Sequence, residues 1–217
     1  MNIVFHKFNF PIYGICILLS IIIGIIFIYH NLRKINIDRE KIILSFTLMV
    51  VMVITFGKIF TMITSGENNI ITAGLSSYGG AIGLILSVII FNIIYPDYKK
   101  EFIRYYILSL PLIYSISKLG CFFAGCCYGF IYNNIFSVTY IDVSNTSYFP
   151  VQLLETIMFM IIFIICLRLN KSKYNKYIIE IVFILCGLCK FLLDYLRYSH
   201  IGQILSINQI VSIVFIL

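Results

Sequence analysis

The chain has 217 residues, of which 61% are hydrophobic and only 12% are charged, and its mean hydropathy is +1.01. Such a composition excludes a soluble globular domain and indicates an integral membrane protein. The formal net charge of +7 does not indicate nucleic-acid binding, because the basic residues lie between apolar segments, where membrane topology explains them.

Seven apolar segments follow one another along the chain. Each is close to the roughly 20 residues that cross about 30 Å of hydrocarbon. We therefore predict an all-α polytopic membrane protein, with about seven transmembrane helices in a single transmembrane domain over residues 1–217. The segments lie at 11–30, 42–63, 78–95, 103–118, 150–168, 177–196 and 202–217.

The basic residues predict the orientation of these helices. Of the 16 lysines and arginines, eleven lie in or beside the connections that follow the first, third and fifth segments. Basic residues concentrate in cytoplasmic connections, so the N-terminus is predicted to be outside and the C-terminus cytoplasmic. The long connection 119–149 holds one acidic residue and no base, and it is predicted to form a small cap on the outer face.

Several cations lie within the apolar segments or at their ends on the predicted outer side, among them Lys118, Lys190 and Arg197. Charge at membrane depth is costly, so such residues are candidates for a functional site. Lys190 also has a structural explanation, since Asp194 lies four residues later and could neutralise it on the same helix face. Both interpretations of Lys190 stay open at this point.

One carboxylate stands apart from the basic connections, near the start of the fifth segment. Glu155 follows the polar residue Gln152 and enters an apolar run, where its charge needs a cationic or hydrogen-bonding partner. Lys118 or Arg197 could supply that partner. We favour a role for Glu155 in organising a site over solvation at a helix end.

Two stretches of the chain are rich in glycine. The segment from Lys118 to Gly129 also contains cysteine and aromatic residues, and its glycines each cost about 1 kcal/mol relative to alanine in a helix interior. We therefore predict irregular backbone there, surrounded by protein or a watery cavity. Residues 73–83 expose backbone amides suited to a phosphate or headgroup, or they permit close helix packing.

Three of the seven cysteines, Cys121, Cys126 and Cys127, form a local cluster. Small-residue packing against the glycine turns is the simplest explanation, and a disulfide with Cys121 in an oxidising outer compartment is a second. A covalent nucleophile is a third. Zinc is the least favoured, because three cysteines without a suitably spaced histidine leave the set of four ligands incomplete, and we predict no metal.

Six motifs of this chain resemble those of the prolipoprotein diacylglyceryl transferases, bacterial inner-membrane enzymes that modify lipoprotein precursors. They occur in the family's order and together cover nearly the whole chain. The motifs are Phe10-Pro-Ile-Tyr13-Gly14, Gly74-Leu-Ser-Ser-Tyr78-Gly79-Gly80-Ala-Ile-Gly83, Lys118-Leu-Gly120-Cys-Phe-Phe-Ala-Gly125-Cys-Cys-Tyr128-Gly129, Pro150-Val-Gln152-Leu-Leu-Glu155, Lys190-Phe-Leu-Leu-Asp194-Tyr-Leu-Arg197 and Gly202-Gln203-Ile-Leu-Ser206.

The resemblance implies a set of site residues. It gives catalytic roles to Lys118, Glu155, Arg197 and Tyr78. It implies lipid-binding roles for a second group of aromatic, glycine and amide residues. This group consists of Tyr13, Gly79, Gly80, Gly120, Gly125, Gly129, Gln152 and Gln203.

The sequence departs from the family pattern at several of these positions. The family's histidine before the Gly-Gly pair is Tyr78 here, and the arginine of its signature is Lys118. Two asparagines and a glutamate of the signature are replaced by Cys121, Ala124 and Cys126. An ammonium is a point charge, whereas a guanidinium binds two phosphate oxygens side by side, so the arginine-to-lysine change is not neutral.

The reaction implied by the resemblance moves diacylglyceryl from phosphatidylglycerol to the thiol of a lipobox cysteine in a prolipoprotein. That reaction requires no cofactor. The resemblance also implies a multi-pass protein of the bacterial cytoplasmic membrane. Its partners would be phosphatidylglycerol and a lipobox peptide, and no nucleic acid. Two alternatives stay open: a lipid-using transferase with another acceptor, and a non-catalytic lipid-binding or transport protein of the same fold.

The general base of that reaction has three candidates. Tyr78 is a poor base at neutral pH, because a phenol has an ordinary pKa of about 10. Glu155 and His200 are better suited, since a base transfers protons best when its pKa lies near the working pH. His200 follows the sixth segment, and we favour a solvated histidine at the membrane interface for it.

Overall fold

A computed structural model describes residues 3–5, 12–66, 69–71, 74–140 and 146–216 of the chain. Seven α-helices account for most of these residues, and each coincides with one predicted apolar segment. The helices are α1 (Ile12–Lys34), α2 (Arg39–Ser65), α3 (Ser77–Ile94), α4 (Lys99–Phe123), α5 (Val151–Asn170), α6 (Ile178–Asp194) and α7 (Ile207–Ile216).

Five of these helices, α1 to α5, are long and apolar enough to cross a membrane. This confirms the prediction of a helical membrane protein. α6 has 17 residues and would extend about 26 Å, and the 10 residues of α7 would extend about 15 Å. The count of seven spans and the outward orientation of the N-terminus therefore stay predictions.

The prediction of irregular backbone between Lys118 and Gly129 is wrong for its first half. Helix α4 continues through Gly120 and ends at Phe123. A Cβ atom added to Gly120 would lie 2.8 Å from the Cβ of Cys16 in α1, so glycine allows a close approach of these two helices. The contact offsets the low helix propensity of glycine.

A small three-stranded sheet accompanies the helices, and the all-α prediction did not include it. Its strands, in spatial order, are β1 (Ile3–Phe5), β2 (Val138–Tyr140) and β3 (Ser147–Tyr148). β1 runs parallel to β2 with Ile3 beside Val138, and β2 runs antiparallel to β3 with Val138 beside Tyr148. Two of the strands belong to the 119–149 connection, for which a small cap was predicted.

The connection between α4 and α5 is fixed to the connection that follows α6. The Gly129 amide donates to the Phe149 carbonyl at 2.9 Å, and the Phe130 amide donates to the Leu196 carbonyl at 3.0 Å. Gly129 also forms an antiparallel bridge with Arg197. These bonds hold Arg197 beside the start of α5.

The chain divides into two compact units, Met1–Ile22 with Pro111–Leu217, and Ile23–Leu110. The boundaries fall inside α1 and α4. In the second unit, Ser76 caps the start of α3, and its side chain accepts a hydrogen bond from the Gly79 amide at 3.5 Å. The single domain predicted over residues 1–217 stays a prediction.

Candidate functional site: a buried carboxylate among three cations

Glu155 is the centre of a buried polar cluster in the first unit, and none of its surface is exposed. Its Oε2 lies 3.0 Å from Lys118 Nζ in α4, and its Oε1 lies 2.6 Å from Arg197 Nη2. Lys190 Nζ of α6 lies 3.5 Å from the same Oε1. Lys118 and Arg197, the two partners considered for Glu155 from the sequence, both form ion pairs with it.

Tyr114 is a member of this cluster that the sequence reasoning missed. Its hydroxyl donates to Glu155 Oε1 at 2.9 Å and accepts a hydrogen bond from Lys190. Lys190 Nζ lies 4.4 Å from the centre of the Tyr114 ring, and Lys118 Nζ lies 5.2 Å from it. The available signal was spacing, because Tyr114 precedes Lys118 by four residues and so shares its helix face.

Asp194 forms a second centre beside the first. Its Oδ1 lies 3.6 Å from Arg197 Nε, and it accepts a hydrogen bond from the Asn208 amide at 3.2 Å. The Ser206 hydroxyl donates to its Oδ2. Arg197 thus lies between two carboxylates, while Lys190 contacts Glu155. These contacts favour a role in the cluster for Lys190 over the simple pair with Asp194 that the sequence also allowed.

His200 is buried, so the prediction of a solvated interfacial histidine is wrong. It is 8% exposed, and its Nδ1 lies 3.4 Å from Asp194 Oδ2. The short turn Tyr198–His200 directs the chain inward after α6. Sequence alone could not show this, because position after an apolar segment is compatible with either environment.

Gln152 connects the carboxylate cluster to the cysteine-rich connection. It lies one helical turn before Glu155 on α5 and is fully buried. Its Nε2 donates to the Cys126 carbonyl at 2.7 Å, and its Oε1 has no hydrogen-bond donor among the residues that the structure describes. Arg197 Nε likewise has no acceptor within hydrogen-bonding distance among those residues.

The sulfur atoms of Cys121, Cys126 and Cys127 all lie within 4.8 Å of one another. The neighbouring Cys121 and Cys126 side chains lower the pKa of Cys127 well below its ordinary value, and nearby Lys118 and Arg197 act in the same direction. Within the described residues every cysteine is a free thiol. The disulfide considered above is therefore not formed in this structure.

The charge on Arg197 is secured by its partners. Burial opposes the charged form, but the Glu155 carboxylate outweighs burial and raises the pKa of Arg197 well above its ordinary value. The guanidinium therefore provides a permanent positive charge that a phosphate could contact.

The remaining predicted residues fall into different surroundings. Gln203, for which the resemblance implies lipid binding, is exposed in the connection before α7 and lies outside the buried cluster. A Cβ atom on Gly79 would lie 2.3 Å from the Phe56 carbonyl oxygen, and one on Gly129 would lie 2.6 Å from the Phe149 carbonyl oxygen. Close packing thus explains both glycines, and their lipid-binding roles stay predictions.

Four further predicted residues belong to helix packing or to chain turns. Tyr13 is half-buried where α1 passes Gly120. Gly125 has a φ of +65° and follows the end of α4 at Phe123. In the second unit, Tyr78 is 7% exposed, and its ring centre lies 6.3 Å from that of Phe60. Gly80 follows Tyr78 by two residues in α3, where an added Cβ would contact Val53 at 3.6 Å.

Comparison with known proteins gives a consistent family. The family model described as prolipoprotein diacylglyceryl transferase matches residues 2–217. A phosphatidylglycerol–prolipoprotein diacylglyceryl transferase of Clostridium tetani is 23% identical over 228 aligned residues, which cover 97% of this chain and 92% of that protein.

Two further relatives carry the same name and match over a shorter range. The protein of Tolumonas auensis is 26% identical across 66% of this chain and 59% of its own length. One from Dehalococcoides mccartyi is 27% identical across 71% of this chain and 63% of its own length. These identities support the family more firmly than the details of the reaction.

Proposed function

Because the chain belongs to the prolipoprotein diacylglyceryl transferase family, we propose that it transfers diacylglyceryl from phosphatidylglycerol to the thiol of a lipobox cysteine. The thiol loses its proton to solvent, and its sulfur forms a bond to the terminal glycerol carbon of the diacylglyceryl group. The bond from that carbon to the phosphate oxygen breaks, its electron pair stays with the oxygen, and glycerol phosphate leaves. We place the reaction in the bacterial cytoplasmic membrane, at its outer face.

The observation that carries this proposal is the meeting of three cations on one buried carboxylate. Lys118, Lys190 and Arg197 are 3%, 5% and 7% exposed, and all lie within 3.5 Å of Glu155. Preorganised cations in a site that excludes water stabilise charge that develops on a leaving phosphate. Asp194 lies beside Arg197, so the three cations face two buried carboxylates and one positive charge stays in excess.

Arg197 Nε supplies a donor for that phosphate. A buried donor without an acceptor is rare in folded proteins and points to a partner beyond the protein itself. Arg197 Nη2 is already bound to Glu155, whereas Nε lies 3.6 Å from Asp194 Oδ1 without a hydrogen bond, so Nε is a donor that can bind a phosphate oxygen. Lys118 adds a second contact, because an ammonium has three donors and Glu155 occupies one of them.

Gln152 Oε1 supplies the complementary acceptor. It is fully buried on the same side of α5 as Glu155, one turn away. A phosphatidylglycerol headgroup has hydroxyl donors beside its phosphate, so one hydroxyl would satisfy Gln152 while the phosphate binds Arg197 and Lys118. This pairing favours a glycerol headgroup over a phosphocholine headgroup, whose choline oxygen is esterified to the phosphate and leaves no hydroxyl donor.

The test is transfer by the purified full chain in vesicles of phosphatidylglycerol. A synthetic lipobox peptide should gain the mass of one diacylglyceryl group, and the same peptide with serine in place of cysteine should not. Vesicles of phosphatidylcholine serve as the lipid control. Modification that does not depend on phosphatidylglycerol, or on the peptide thiol, would refute the proposed reaction.

One alternative has a specific observation in its favour. Tyr78 occupies the position of the family's histidine, and a phenol is a weak base at neutral pH. The chain could therefore have kept lipid binding without transfer to a lipobox thiol. Binding of phosphatidylglycerol without peptide modification, under conditions where a family member with the histidine is active, would establish that alternative.

A further inference from the structure

Helix α4 ends in a way that brings two cysteine side chains together. The Cys126 amide donates to the Cys121 carbonyl at 3.1 Å, and the Gly125 amide donates to the Phe122 carbonyl at 3.3 Å. Together with the left-handed φ of +65° at Gly125, this is a Schellman motif. It reverses the chain over the last helical turn, so Cys126 returns to the level of Cys121.

The third cysteine joins them through a second unusual backbone conformation. Cys127 has a φ of +55°, which residues other than glycine seldom adopt, and such conformations concentrate at functional sites. The turn leaves all three sulfur atoms within 4.8 Å of one another. Sulfur ligands around zinc at about 2.3 Å lie about 3.8 Å apart in a tetrahedron, so a contraction of about 1 Å or less would close the site.

We propose that Cys121, Cys126 and Cys127 bind a zinc ion whose fourth ligand is the thiol of the acceptor peptide. Among the described residues, the cluster offers three ligands and neither histidine nor carboxylate. Three protein ligands with a fourth position for substrate are the arrangement of a catalytic zinc site, whereas a structural site is closed by four. From sequence alone, the missing fourth ligand counts against zinc. In a catalytic site, that same open position is where the substrate thiol would bind.

The position of the cluster suits the proposed reaction. Cys127 is exposed and Cys121 is buried, so the site opens on the side where a peptide could approach. Cys121 follows Lys118 by three residues on α4, and Gln152 binds the Cys126 carbonyl. A thiol bound at the cluster would therefore lie beside the cations that we propose for the phosphate.

Zinc would also supply what Tyr78 cannot. A thiol that coordinates zinc is deprotonated, so the peptide sulfur would need no nearby base of matched pKa. The peptide thiol releases its proton to water on binding and its sulfur attacks the glycerol carbon as a thiolate. The carbon–oxygen bond breaks towards the phosphate, and the neutral thioether then leaves the zinc. This inference rests on the proposed function.

Cobalt titration tests the metal site without relying on transfer activity. We expect the purified, reduced full chain to bind one Co²⁺, with sulfur-to-cobalt charge-transfer absorption that equimolar Zn²⁺ removes. Cys126→Ser and Cys127→Ser should each weaken cobalt binding at least tenfold. Cys166 is a buried cysteine on α5, outside the cluster, and Cys166→Ala should leave cobalt binding unchanged. Absence of the absorption, or its retention in both serine variants, would overturn the proposal.

The peptide tests the fourth position. A lipobox peptide with cysteine should increase the charge-transfer absorption of the cobalt form, and the matched serine peptide should not. An unchanged spectrum would show that the acceptor thiol does not bind the metal, and would overturn the proposal even if transfer occurs. Transfer that survives complete removal of metal by a chelator would also overturn it, while leaving the proposed transferase function intact.

A failure of the proposed function itself gives a different pattern. In that case the cobalt spectrum would respond to the cysteine peptide. No variant and no metal form of the protein would transfer diacylglyceryl to that peptide in phosphatidylglycerol vesicles. The metal proposal would then be reduced to thiol binding, and its claim to activate the thiol for transfer would be refuted.

Discussion

The Glu155 carboxylate lies 2.6 Å from the Arg197 guanidinium, and this buried contact joins the first turns of α5 to the connection that follows α6. Glu155 has no exposed surface, and Arg197 is 7% exposed. Removing one partner of such a pair leaves an uncompensated charge and costs about 3–5 kcal/mol. The pair therefore fixes the guanidinium in place, with Nε 3.6 Å from Asp194 Oδ1.

Replacing Glu155 tests the centre of the cluster. Glu155→Gln keeps the shape of the side chain but removes the charge that holds three cations together, so we expect a lower melting temperature. Transfer should fall by about 100-fold, as it does when one preorganised electrostatic contact is lost. The measurement is peptide modification together with thermal unfolding in detergent.

Two comparisons make this result specific. Glu180→Gln changes an exposed carboxylate in the first turn of α6 and should leave both properties unchanged. The double variant of Glu155→Gln with Arg197→Ala should lose less than the sum of the two single losses, because the residues are in contact. Strict additivity would contradict a shared role.

Lys118 distinguishes a phosphate contact from helix packing. Lys118→Ala should abolish transfer, because it removes a cation that we propose binds the leaving phosphate. Lys118→Arg should keep or increase transfer, since a guanidinium binds two phosphate oxygens side by side. Rates are compared at matched protein levels in the membrane. Equal activity of wild type and Lys118→Ala would leave Lys118 with a structural role alone.

The orientation in the membrane can be tested by accessibility. In a Cys127→Ser background, a cysteine introduced at the exposed position Asn134 should react with an impermeant reagent added from outside, and one at exposed Lys173 should react only from the cytoplasm. The division follows from the basic residues near Lys173 and their absence around Asn134. The opposite pattern of labelling would invert the proposed topology.

The helices were predictable because long apolar runs determine them, but their ends were not. The segment predicted at 103–118 extends over Lys99–Phe123, since contact with α1 at Gly120 outweighs the helix propensity of glycine. The small sheet was missed because β1 and β2 are three residues each and pair across more than 130 positions. Short strands with distant partners leave little periodic signal.

The site was predictable in its charges, whereas Gln152 was the one neutral polar residue of the buried cluster that the sequence identified. A cation or carboxylate within an apolar run is conspicuous, so Lys118 and Glu155 could be identified from sequence. Tyr114 and Ser206 are ordinary residues in such runs, and only the fold shows that they contact the two buried carboxylates. Gln203 was grouped with the site by its motif, although its side chain is exposed.

Gly129 tests whether the crossing of two connections positions Arg197. An added Cβ would lie 2.6 Å from the Phe149 carbonyl oxygen and 2.9 Å from that of Leu196, and neither backbone atom can move without breaking a hydrogen bond. Gly129→Ala should therefore cost about 1–3 kcal/mol of stability, as overpacking does. It should also lower transfer, because Gly129 bridges directly to Arg197.

Gly14→Ala is the matched control, since its Cβ would meet nothing within 4 Å and alanine is favoured in a helix. Equal melting temperatures and equal transfer rates for Gly129→Ala and Gly14→Ala would contradict this role of the crossing. The ion pair alone would then hold the guanidinium beside Glu155.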